Sequence, residues 1–595
     1  MLNKKNQQAR NSLAAWQAHK SKNYLHADTN FQRVLQMHMG DDYVRHFPVL
    51  NKAASVSAMT MDALAINSNR DENLPRLNRF NSIGERTEEI VFHPDYHELG
   101  ACVWKTGVLS VLKEPGNELL SGAFSYFIAH NGEGGHACPI ACTAGLIKLL
   151  QQVGSAQQKQ KYLPSLLEAD YTKRLHGAQF VTEIQGGSDV ASVSCVAVPD
   201  EKQVGSYQIN GEKWFCSVID AGLFVLAARP EGAAEGTKGL ALFLVPRVVD
   251  GELNNFNIRR LKYKLGTRSM ASAEVDFNGA LAESIGPLGQ GFKNLVSIVL
   301  DTSRVHNALA ACGLIRRACI EAQAYALHRT AFGKPIIQHG MVAQTIARMT
   351  VINAAAVATT FRILAMADRI ATGEATADIK EARRTHVNIN KYWTSIQCSN
   401  VVHDAIEVLG GNGTIEDFSV LPRLYRDAIV LESWEGTHNT LCAQVLRDFA
   451  TRQLHVPWLT DLRDSLSSIS QTSATHPSVA HSSLEAHCTR ADLLLEEVIC
   501  RIDLLLTSDA DFANLHIRAV VDCMCVLNNY VSLLLELNWE LTQEKLVHEK
   551  TGEKSRLRKS QIIDLYYCLF VDHTDPMDTS ELPALISGIC MGETE

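Results

Sequence analysis

Residues 424–439 read LYRDAIVLESWEGTHN, and near the end of this stretch an acid, Glu435, stands between the largest side chain, Trp434, and the smallest residue, Gly436. An apolar helical repeat precedes the acid and the amphipathic run TLCAQVLRDFA follows it, which places the acid at a junction between two helices. Two interpretations of Glu435 are open: a base beside a flat apolar surface, or a carboxylate that favours the positive end of the second helix.

The helical pattern around this stretch runs from about residue 284 to residue 454, and its longest segments contain no proline. Amphipathic segments of that length are typical of a helical bundle. Upstream, residues 176–283 alternate short Val-, Phe- and Ala-rich runs with Gly, Pro and Asn-Gly or Asp-Gly turns, which predicts a small all-β domain. Within it, Asn210-Gly211 in YQINGEKWF suits a type I′ turn, and we expect a β-hairpin there.

Outside these two domains the pattern is helical at both ends. Residues 30–175 carry apolar side chains at three- and four-residue spacing, after a basic N-terminal extension, residues 1–29. Residues 455–595 form an extra C-terminal domain, opened by SLSSISQTSATHPSVAHSS at residues 465–483, whose Ser, Thr and His content favours a linker. This last domain has 10 Lys plus Arg against 22 Asp plus Glu, a charge of −12, while the whole chain carries −9.

Composition and charge exclude several classes of function. The 595 residues are 46% hydrophobic and 20% charged, which is enough apolar material for several packed domains. Negative charge disfavours nucleic acid and anionic membranes as partners, because both require clustered Lys and Arg. The 15 cysteines include no CxxC pair, and no apolar run approaches the roughly 18 residues of a membrane span. We therefore expect a cytoplasmic protein without a membrane span, and the basic first 27 residues leave the mitochondrial matrix as the alternative location.

Four further segments combine residues that suit a flat or phosphorylated ligand. TEIQGGSD, residues 182–189, joins hydroxyls to two glycines that let the backbone approach a ligand, although a β-turn closed by its Ser and final Asp explains it equally. GEKWFCSV, residues 211–218, is predicted to be a strand with Trp214, Phe215 and Ser217, so that alternate side chains face one surface, although aromatic residues there are more often part of a core. HRTAFGKPIIQHG, residues 328–340, ends a helix with Arg and Phe, and EVLGGNGT, residues 407–414, has a glycine pair for which a helix C-cap is the simpler explanation.

Histidines and cysteines in the N-terminal region raise a metal site as an alternative. His93 and His97 are four residues apart, and His136, Cys138 and Cys142 follow in GHACPIAC. The proline after the first histidine suits the first turn of a helix, in which these histidines have ordinary capping or packing uses. We therefore predict no metal.

Taken together, the quoted segments resemble the acyl-CoA dehydrogenase flavoprotein family, from about residue 80 to about residue 450. TEIQGGSD is similar to the family's first flavin signature, LHRTAFGKPI to its adenine-nucleotide segment, and LGGNG with LYRDAIVLESWEGT to its second signature and base loop. Each motif is weak alone, but their order and spacing agree. Within the family the chain is most similar to the AidB branch, through EIVFHPDYHEL, EKWFCSV, SWEG, Gly-Gly where Ala-Gly is common, and Glu407 where Gln is usual.

The resemblance implies a fold that is mainly α with a middle β domain. Its parts are an α-helical N-terminal domain, a small β-barrel domain, a four-helix bundle over residues 284–454 and the extra C-terminal helical domain of the AidB branch. The resemblance also implies FAD as cofactor, an acyl-CoA substrate, an electron-transfer flavoprotein as electron acceptor, and a homotetramer built as a dimer of dimers.

The reaction that the resemblance implies removes two hydrogens from the α and β carbons of an acyl-CoA thioester. Glu435 takes the α proton, and flavin N5 accepts the hydride from the β carbon. We expect burial beside Trp434 to raise the pKa of Glu435, and its backbone N–H to stabilise the enolate oxygen. The residues implied at the cofactor are Phe180, Val181, Thr182, Gly187, Ser188, Phe215, Cys216, Ser217, Arg329, Phe332, Glu407, Gly410, Gly411, Trp434, Gly436, Thr437 and Asn439. Ser188, Ser217 and Gly436 are also implied at the substrate.

Two positions depart from the family pattern. Ile184 replaces a common Pro in the first signature, and Gly340 stands where many members have Gln, which puts the shape of the first loop and one adenine contact in question.

Two other functions remain open. One is a flavin-containing protein that binds or sequesters acyl-CoA or fatty acid with vestigial turnover. The other is an AidB-like DNA-associated stress flavoprotein, which the acidic C-terminal domain disfavours.

Overall fold

Helices precede and follow a long β-rich segment in a computed structural model that describes residues 4–19, 22–201, 205–475, 479–551, 558–574 and 580–591. The chain divides into two units. One unit is Met59–Asn307, and the other combines the residues before Met59 with those after Asn307.

The helices before the β-rich segment are interrupted by one β-hairpin. They are α1 Lys4–His19, α2 Thr29–Met39, α3 Asp42–Val56, α4 Asp62–Ser68, α5 Pro94–Lys105, α6 Glu118–Ala129, α7 Gly134–Val153 and α8 Ala156–Leu166. The hairpin consists of β1 Arg76–Phe80 and β2 Arg86–Val91, which pair antiparallel. The sequence pattern did not predict it, because its short, charged strands show no alternation of apolar residues.

The β-rich segment closes into a barrel. Its strands are β3 Gly177–Phe180, β4 Val196–Pro199, β5 Ser206–Ser217, β6 Leu223–Pro230, β7 Ala241–Pro246, β8 Val248–Val249, β9 Glu252–Leu253, β10 Phe256–Leu261 and β11 Ser272–Ile285. β7 pairs with both β6 and β11, so β11, β5, β4, β6 and β7 form a closed ring. Phe180 is fully buried in this barrel, with its ring centroid 4.6 Å from that of Phe224. The prediction of a mainly α fold with a middle β-barrel is confirmed.

The prediction of a hairpin at Asn210-Gly211 is wrong, because β5 runs through both residues without turning. Asn210 pairs with Asn278 and Gly211 with Phe277 on β11, and a register shift near Gly279 bends the ladder. Gly211 is required for another reason, since a Cβ there would lie 2.7 Å from the Sγ of Cys195. The glycine therefore marks a close approach between strands, not a turn.

The remaining helices follow the barrel strands. They are α9 Gly291–Asn294, α10 Leu300–His328, α11 Gly340–Thr372, α12 Ala377–Leu409, α13 Leu421–Ser433, α14 His438–Arg452, α15 His455–Thr475, α16 Val479–Thr507, α17 Ala510–Thr551, α18 Arg558–Tyr566 and α19 Leu582–Met591. Two short strands, β12 Thr330–Ala331 and β13 Lys334–Pro335, lie between α10 and α11.

The helices after residue 455 pack directly on α11 and α12. The Oγ1 of Thr359 on α11 donates to the Oδ1 of Asn529 on α17 at 2.6 Å. Asp461 of α15 accepts from Arg362 of α11 at 2.5 Å and from His386 of α12 at 3.0 Å. These buried polar contacts tie the extra C-terminal helices to the bundle rather than leaving them as a separate appendage.

Two helical stretches, Gly340–Thr372 and Ala510–Gln543, are long and apolar enough to cross a membrane by length and composition. In the folded chain 94% and 78% of their most apolar windows are buried. Their apolar side chains therefore form the interior of the unit.

The linker predicted at residues 465–483 is wrong for the part that the structure describes. α15 continues to Thr475 and α16 begins at Val479, while residues 476–478 lie outside the described residues. Leu466 and Ile469 are buried, and the hydroxyl of Ser470 donates to the carbonyl of Leu466 at 3.2 Å. A serine-rich sequence forms a helix here because its hydroxyls bond back to the helix backbone while a few apolar residues pack inward.

Candidate active site

The loop between α13 and α14, residues 434–437, carries Glu435, and we name it the Glu435 loop. Glu435 has a φ of +58° and Gly436 a φ of +103°. A left-handed glutamate is rare, because its Cβ crowds the backbone, and costs about 1–3 kcal/mol. Thr437 is the N-cap of α14, whose first turn reads HNTL and contains no acid. Glu435 therefore lies outside the helix, two residues before its N-cap, and both interpretations of its carboxylate stay open.

The surroundings of the Glu435 loop combine apolar and polar contacts. Trp434 and Glu435 are half-buried, and the indole Nε1 of Trp434 is buried with no hydrogen-bond acceptor among the described residues. At the start of α14, the Oδ1 of Asn439 accepts a hydrogen bond from Arg518 of α17 at 2.6 Å. The extra C-terminal helices thus contact the residues that follow Glu435.

In the unit Met59–Asn307, the loop after β3 contains the glycine pair of TEIQGGSD. Glu183 and Gly186 exchange backbone hydrogen bonds of 3.3 and 3.0 Å, and Gly186 has a φ of +147°. A Cβ on Gly187 would lie 2.6 Å from the Oγ1 of Thr182, so this position requires glycine. The β-turn interpretation is therefore right in kind, but Glu183 and Gly186 close the turn, and the side chain of Ser188 is exposed.

A buried ion pair fixes this loop to β5. The Nζ of Lys213 donates to the Oε1 of Glu183 at 2.7 Å and to the carbonyl of Val181 at 3.2 Å, and both charged side chains are 0% exposed. Burial alone would raise the pKa of Glu183, but the Lys213 ammonium and hydrogen bonds from Ser194 outweigh it and lower that pKa to about 2. Both residues lie in segments singled out from the sequence, but their pairing was not predicted. The signal in the sequence was a charged residue among the apolar residues of each segment, Glu183 just after β3 and Lys213 within β5.

The end of β5 shows the alternation expected of a strand. Phe215 is 48% exposed, Cys216 is fully buried, and Ser217 is half-buried with its Oγ 2.9 Å from that of Ser272. Burial raises the pKa of the Cys216 thiol well above its ordinary value, so this cysteine is an inert core residue. Phe215 and Ser217 are therefore the side chains of this segment that a ligand can reach.

Arg329 and Phe332 lie at the turn between α10 and α11. Phe332, with a φ of +49°, and Gly333, with a φ of +85°, form the tip of the β12–β13 hairpin, a geometry typical of a type I′ turn. Phe332 is 96% exposed, and its nearest aromatic ring is that of His339 at 5.9 Å. Arg329 is half-buried at the base of the hairpin, where its carbonyl accepts from Ile336.

The glycine pair of EVLGGNGT ends α12. Gly410 has a φ of +62°, and its N–H donates to the carbonyl of Glu407, so the C-cap interpretation of this residue is confirmed. Glu407, Gly410 and Gly411 are exposed. The next residue, Asn412, donates to the hydroxyl of Tyr325 at 3.1 Å, which connects this segment to α10, the helix that ends just before Arg329.

The histidines and cysteines considered for a metal have structural contacts. His93 caps α5 through its Nδ1, and His136 donates to the carbonyl of Tyr96 at 2.8 Å. Cys138 and Cys142 lie on α7 with their sulfurs 3.9 Å apart. Among the residues that the structure describes, no group of three or more His, Cys, Asp or Glu side chains is arranged to hold a metal ion.

Three protein-family models match the chain in succession. They are the adaptive response protein AidB N-terminal domain at residues 16–173, the acyl-CoA dehydrogenase middle domain at residues 178–280, and the acyl-CoA dehydrogenase C-terminal domain at residues 289–449. The middle model covers the β-barrel strands, and the third covers α10 to α14 with the Glu435 loop.

Individual relatives agree with these models. AidB of Escherichia coli (strain K12) is 34% identical over 404 residues, which are 65% of this chain and 71% of AidB. Acyl-CoA dehydrogenase family member 11 of Caenorhabditis elegans is 32% identical over 391 residues, 64% of this chain and 63% of that protein. The solved structure of C. elegans ACDH-11 in complex with C11-CoA has a TM-score of 0.79 and 25% identity, and the match covers 91% of this chain and 90% of that one.

The chain therefore belongs to the acyl-CoA dehydrogenase family of FAD-dependent oxidoreductases. Its N-terminal domain is of the AidB type, which confirms the branch predicted from the motifs.

The residues of the two signatures fit a flavin cofactor. Gly187 leaves no room for a side chain beside Thr182, as expected where a backbone must lie close to a flat ligand. Phe215 presents an exposed aromatic face, and the buried indole N–H of Trp434 is a donor that a ligand atom can satisfy. Gly187 and Phe215 belong to the unit Met59–Asn307 and Trp434 belongs to the other unit, and within its own unit each offers a backbone, aromatic or donor group of a kind that suits FAD.

Proposed function

We propose that this protein is an acyl-CoA dehydrogenase that oxidises the α,β bond of an acyl-CoA thioester, with Glu435 as the base for the α proton. The observation that carries the proposal is the conformation of Glu435. Glu435 holds a carboxylate in a strained left-handed conformation, in the loop that joins two helices, beside a half-buried Trp434 and two residues before the N-cap of the helix that follows. Strain of this kind is concentrated at functional residues.

The chain's own groups supply the proton chemistry. The Glu435 carboxylate removes the weakly acidic α proton, and its backbone N–H donates to the thioester oxygen as negative charge develops there. Trp434, next to Glu435 in the chain, is half-buried, and we expect its indole to limit the access of water to the carboxylate when substrate is bound. FAD, when bound, accepts the hydride from the β carbon at its N5 atom and thereby takes up two electrons.

The cofactor is held by backbone and side-chain groups of different kinds. Thr182, Ser188, Phe215 and Ser217 offer hydroxyls and one aromatic face, and Arg329 with Phe332 offers a guanidinium and an exposed ring for the ADP half. Phe180 and Cys216 have fully buried side chains, so we assign them backbone contacts. The other groups proposed at the cofactor are those of Val181, Gly187, Glu407, Gly410, Gly411, Trp434, Gly436, Thr437 and Asn439. For the substrate we propose Ser188, Ser217 and Gly436.

The proposal is tested by anaerobic titration of the yellow, FAD-loaded protein with a ladder of saturated acyl-CoAs of increasing chain length. We expect at least one thioester to bleach the flavin absorbance, with the product released as the α,β-unsaturated thioester. The corresponding 2-enoyl-CoA serves as the control, because it has no α,β bond left to oxidise and should not bleach the flavin. If the thioesters bind but none reduces the flavin, the proposal is wrong and the sequestering function replaces it.

Assembly, electron acceptor and location complete the proposal. We propose a homotetramer that passes electrons to an electron-transfer flavoprotein in the cytoplasm. The hairpin that exposes Phe332 supports assembly, since a 96% exposed phenylalanine at a hairpin tip is suited to contact a second chain or a ligand held by one. The net charge of −9 continues to disfavour DNA as a partner.

A further inference from the structure

One face of α12 presents a polar stripe to the helices on both sides of the Glu435 loop. Lys391, Ser395 and Ser399 follow one another at intervals of four residues, which places them on one side of the helix. Ser399 donates to the carboxylate of Glu432, near the end of α13. The Oγ of Ser395 lies 3.3 Å from the Nε2 of His438, the first residue of α14. The stripe therefore contacts the chain before and after the loop.

Lys391 makes the most specific contacts of the stripe. Its side chain is fully buried, and its Nζ donates to the carbonyl of Glu432 at 3.1 Å and to the carbonyl of Gly436 at 2.8 Å. These two acceptors lie on opposite sides of Glu435 in the sequence. The carbonyl of Glu432 also belongs to the last turn of α13, where carbonyl groups lack intrahelical donors and the helix dipole favours a cation.

Burying an ammonium group costs free energy of desolvation unless several acceptors surround it. A buried lysine at this position therefore indicates a specific structural or functional role. Burial, together with Lys391 and Arg518, lowers the pKa of His438 to about 4. The imidazole is therefore neutral near pH 7, and Lys391 is the cation of the stripe.

We propose that Lys391 is a positioning residue that clamps the backbone on both sides of Glu435 and holds that residue in its left-handed conformation. A strained φ persists only where its surroundings determine it, and two hydrogen bonds from one ammonium to carbonyls flanking the strained residue supply that constraint. The clamp fixes the direction of the carboxylate and of the Glu435 N–H. The consequence for catalysis rests on the proposed function of Glu435 as the base.

The clamp is tested on the FAD-loaded protein with Lys391→Met, which keeps the length of the side chain without its charge, and Lys391→Gln, which retains a hydrogen-bond donor. The matched control is Thr394→Val on the same helix, where a buried hydroxyl donates back to α12, to the carbonyl of Asn390 at 2.7 Å and at 3.4 Å to the carbonyl of Lys391. Two quantities are measured: amide hydrogen exchange in a peptide covering residues 431–440, and the anaerobic rate of flavin reduction with its acyl-CoA dissociation constant.

We expect Lys391→Met to speed exchange in that peptide about tenfold or more, while exchange in the rest of α12 stays near the wild-type rate. Flavin reduction should slow by about tenfold or more at a nearly unchanged dissociation constant, because a misdirected base affects the reaction and not the binding. Lys391→Gln should give intermediate values in both measurements, and Thr394→Val should match the wild type.

If residues 431–440 exchange at the wild-type rate in both Lys391→Met and Lys391→Gln, the proposal is overturned. Faster exchange spread evenly over α12 and α13 overturns it as well, because it identifies a lysine that only stabilises the bundle. If no acyl-CoA reduces the wild-type flavin, the proposed function fails. In that case, faster exchange confined to the Glu435 loop of Lys391→Met still supports the clamp. Failure of the clamp and failure of the proposed function are therefore distinguishable.

Discussion

At the scale of single residues, each unit has one notable charged feature, a strained glutamate in one and a buried ion pair in the other. Glu435 occupies a left-handed conformation between two helices, and the Glu183–Lys213 ion pair anchors the glycine loop in the other unit. The sequence singled out Glu435 through the resemblance of LYRDAIVLESWEGT to the family's base loop, and its role as the base stays a prediction. The ion pair was missed, since its partners are 30 residues apart and meet only when β5 folds beside the loop.

Removing one partner of that pair should destabilise the unit Met59–Asn307. In Lys213→Met the carboxylate of Glu183 stays buried without its cation, which costs about 3–5 kcal/mol. The measurement is chemical denaturation followed by tryptophan fluorescence. The matched control is Lys161→Met, because the Lys161–Glu283 pair is 2.6 Å long but its side chains are 52% and 31% exposed, so its loss should cost at most about 1 kcal/mol. Equal unfolding free energies for the two variants would contradict the anchoring role of Lys213.

At the scale of elements, the periodicity of apolar residues predicted whether a segment is helix or strand better than it predicted where the chain turns. The long amphipathic helices of the bundle and the β texture of the barrel were predictable, because their apolar spacing extends over many residues. The turn at Gly211 and the linker at 465–483 were mispredicted from local composition. In both cases tertiary contacts decided the structure: Cys195 packs against the glycine, and buried Leu466 and Ile469 hold the serine-rich helix in place.

The role of Gly211 in β5 is tested by substitution with alanine. In Gly211→Ala the new Cβ would meet the Sγ of Cys195 at 2.7 Å, and a φ of +133° disfavours any side chain. Overpacking of this kind costs about 1–3 kcal/mol, and the conformation adds to it. Gly205→Ala is the matched control, since its φ of +87° carries the conformational cost but nothing lies within 4 Å. Thermal unfolding should show the larger loss of stability for Gly211→Ala. Equal losses would mean that the contact with Cys195 is unimportant.

At the scale of the whole molecule, the chain combines a family framework with additional helices. The order of α, β and α regions could be predicted from sequence, as could the AidB-type branch, because motifs fix their succession along the chain. The position of the extra C-terminal helices could not. Their contacts, such as Arg518 with Asn439 and Asn529 with Thr359, join residues 79 and 170 positions apart through single polar atoms, which leave no periodic signal in the sequence.

The central claim is that Glu435 removes the α proton. We expect Glu435→Gln, which keeps the size of the side chain and removes its basicity, to bind FAD and acyl-CoA as the wild type does. Its rate of anaerobic flavin reduction in a single turnover should be lower by about 10²- to 10⁴-fold. Glu416→Gln, which removes an exposed carboxylate paired with Arg426, should reduce its flavin at the wild-type rate. Flavin reduction by Glu435→Gln at the wild-type rate, with a bound acyl-CoA that the wild type oxidises, would contradict the account.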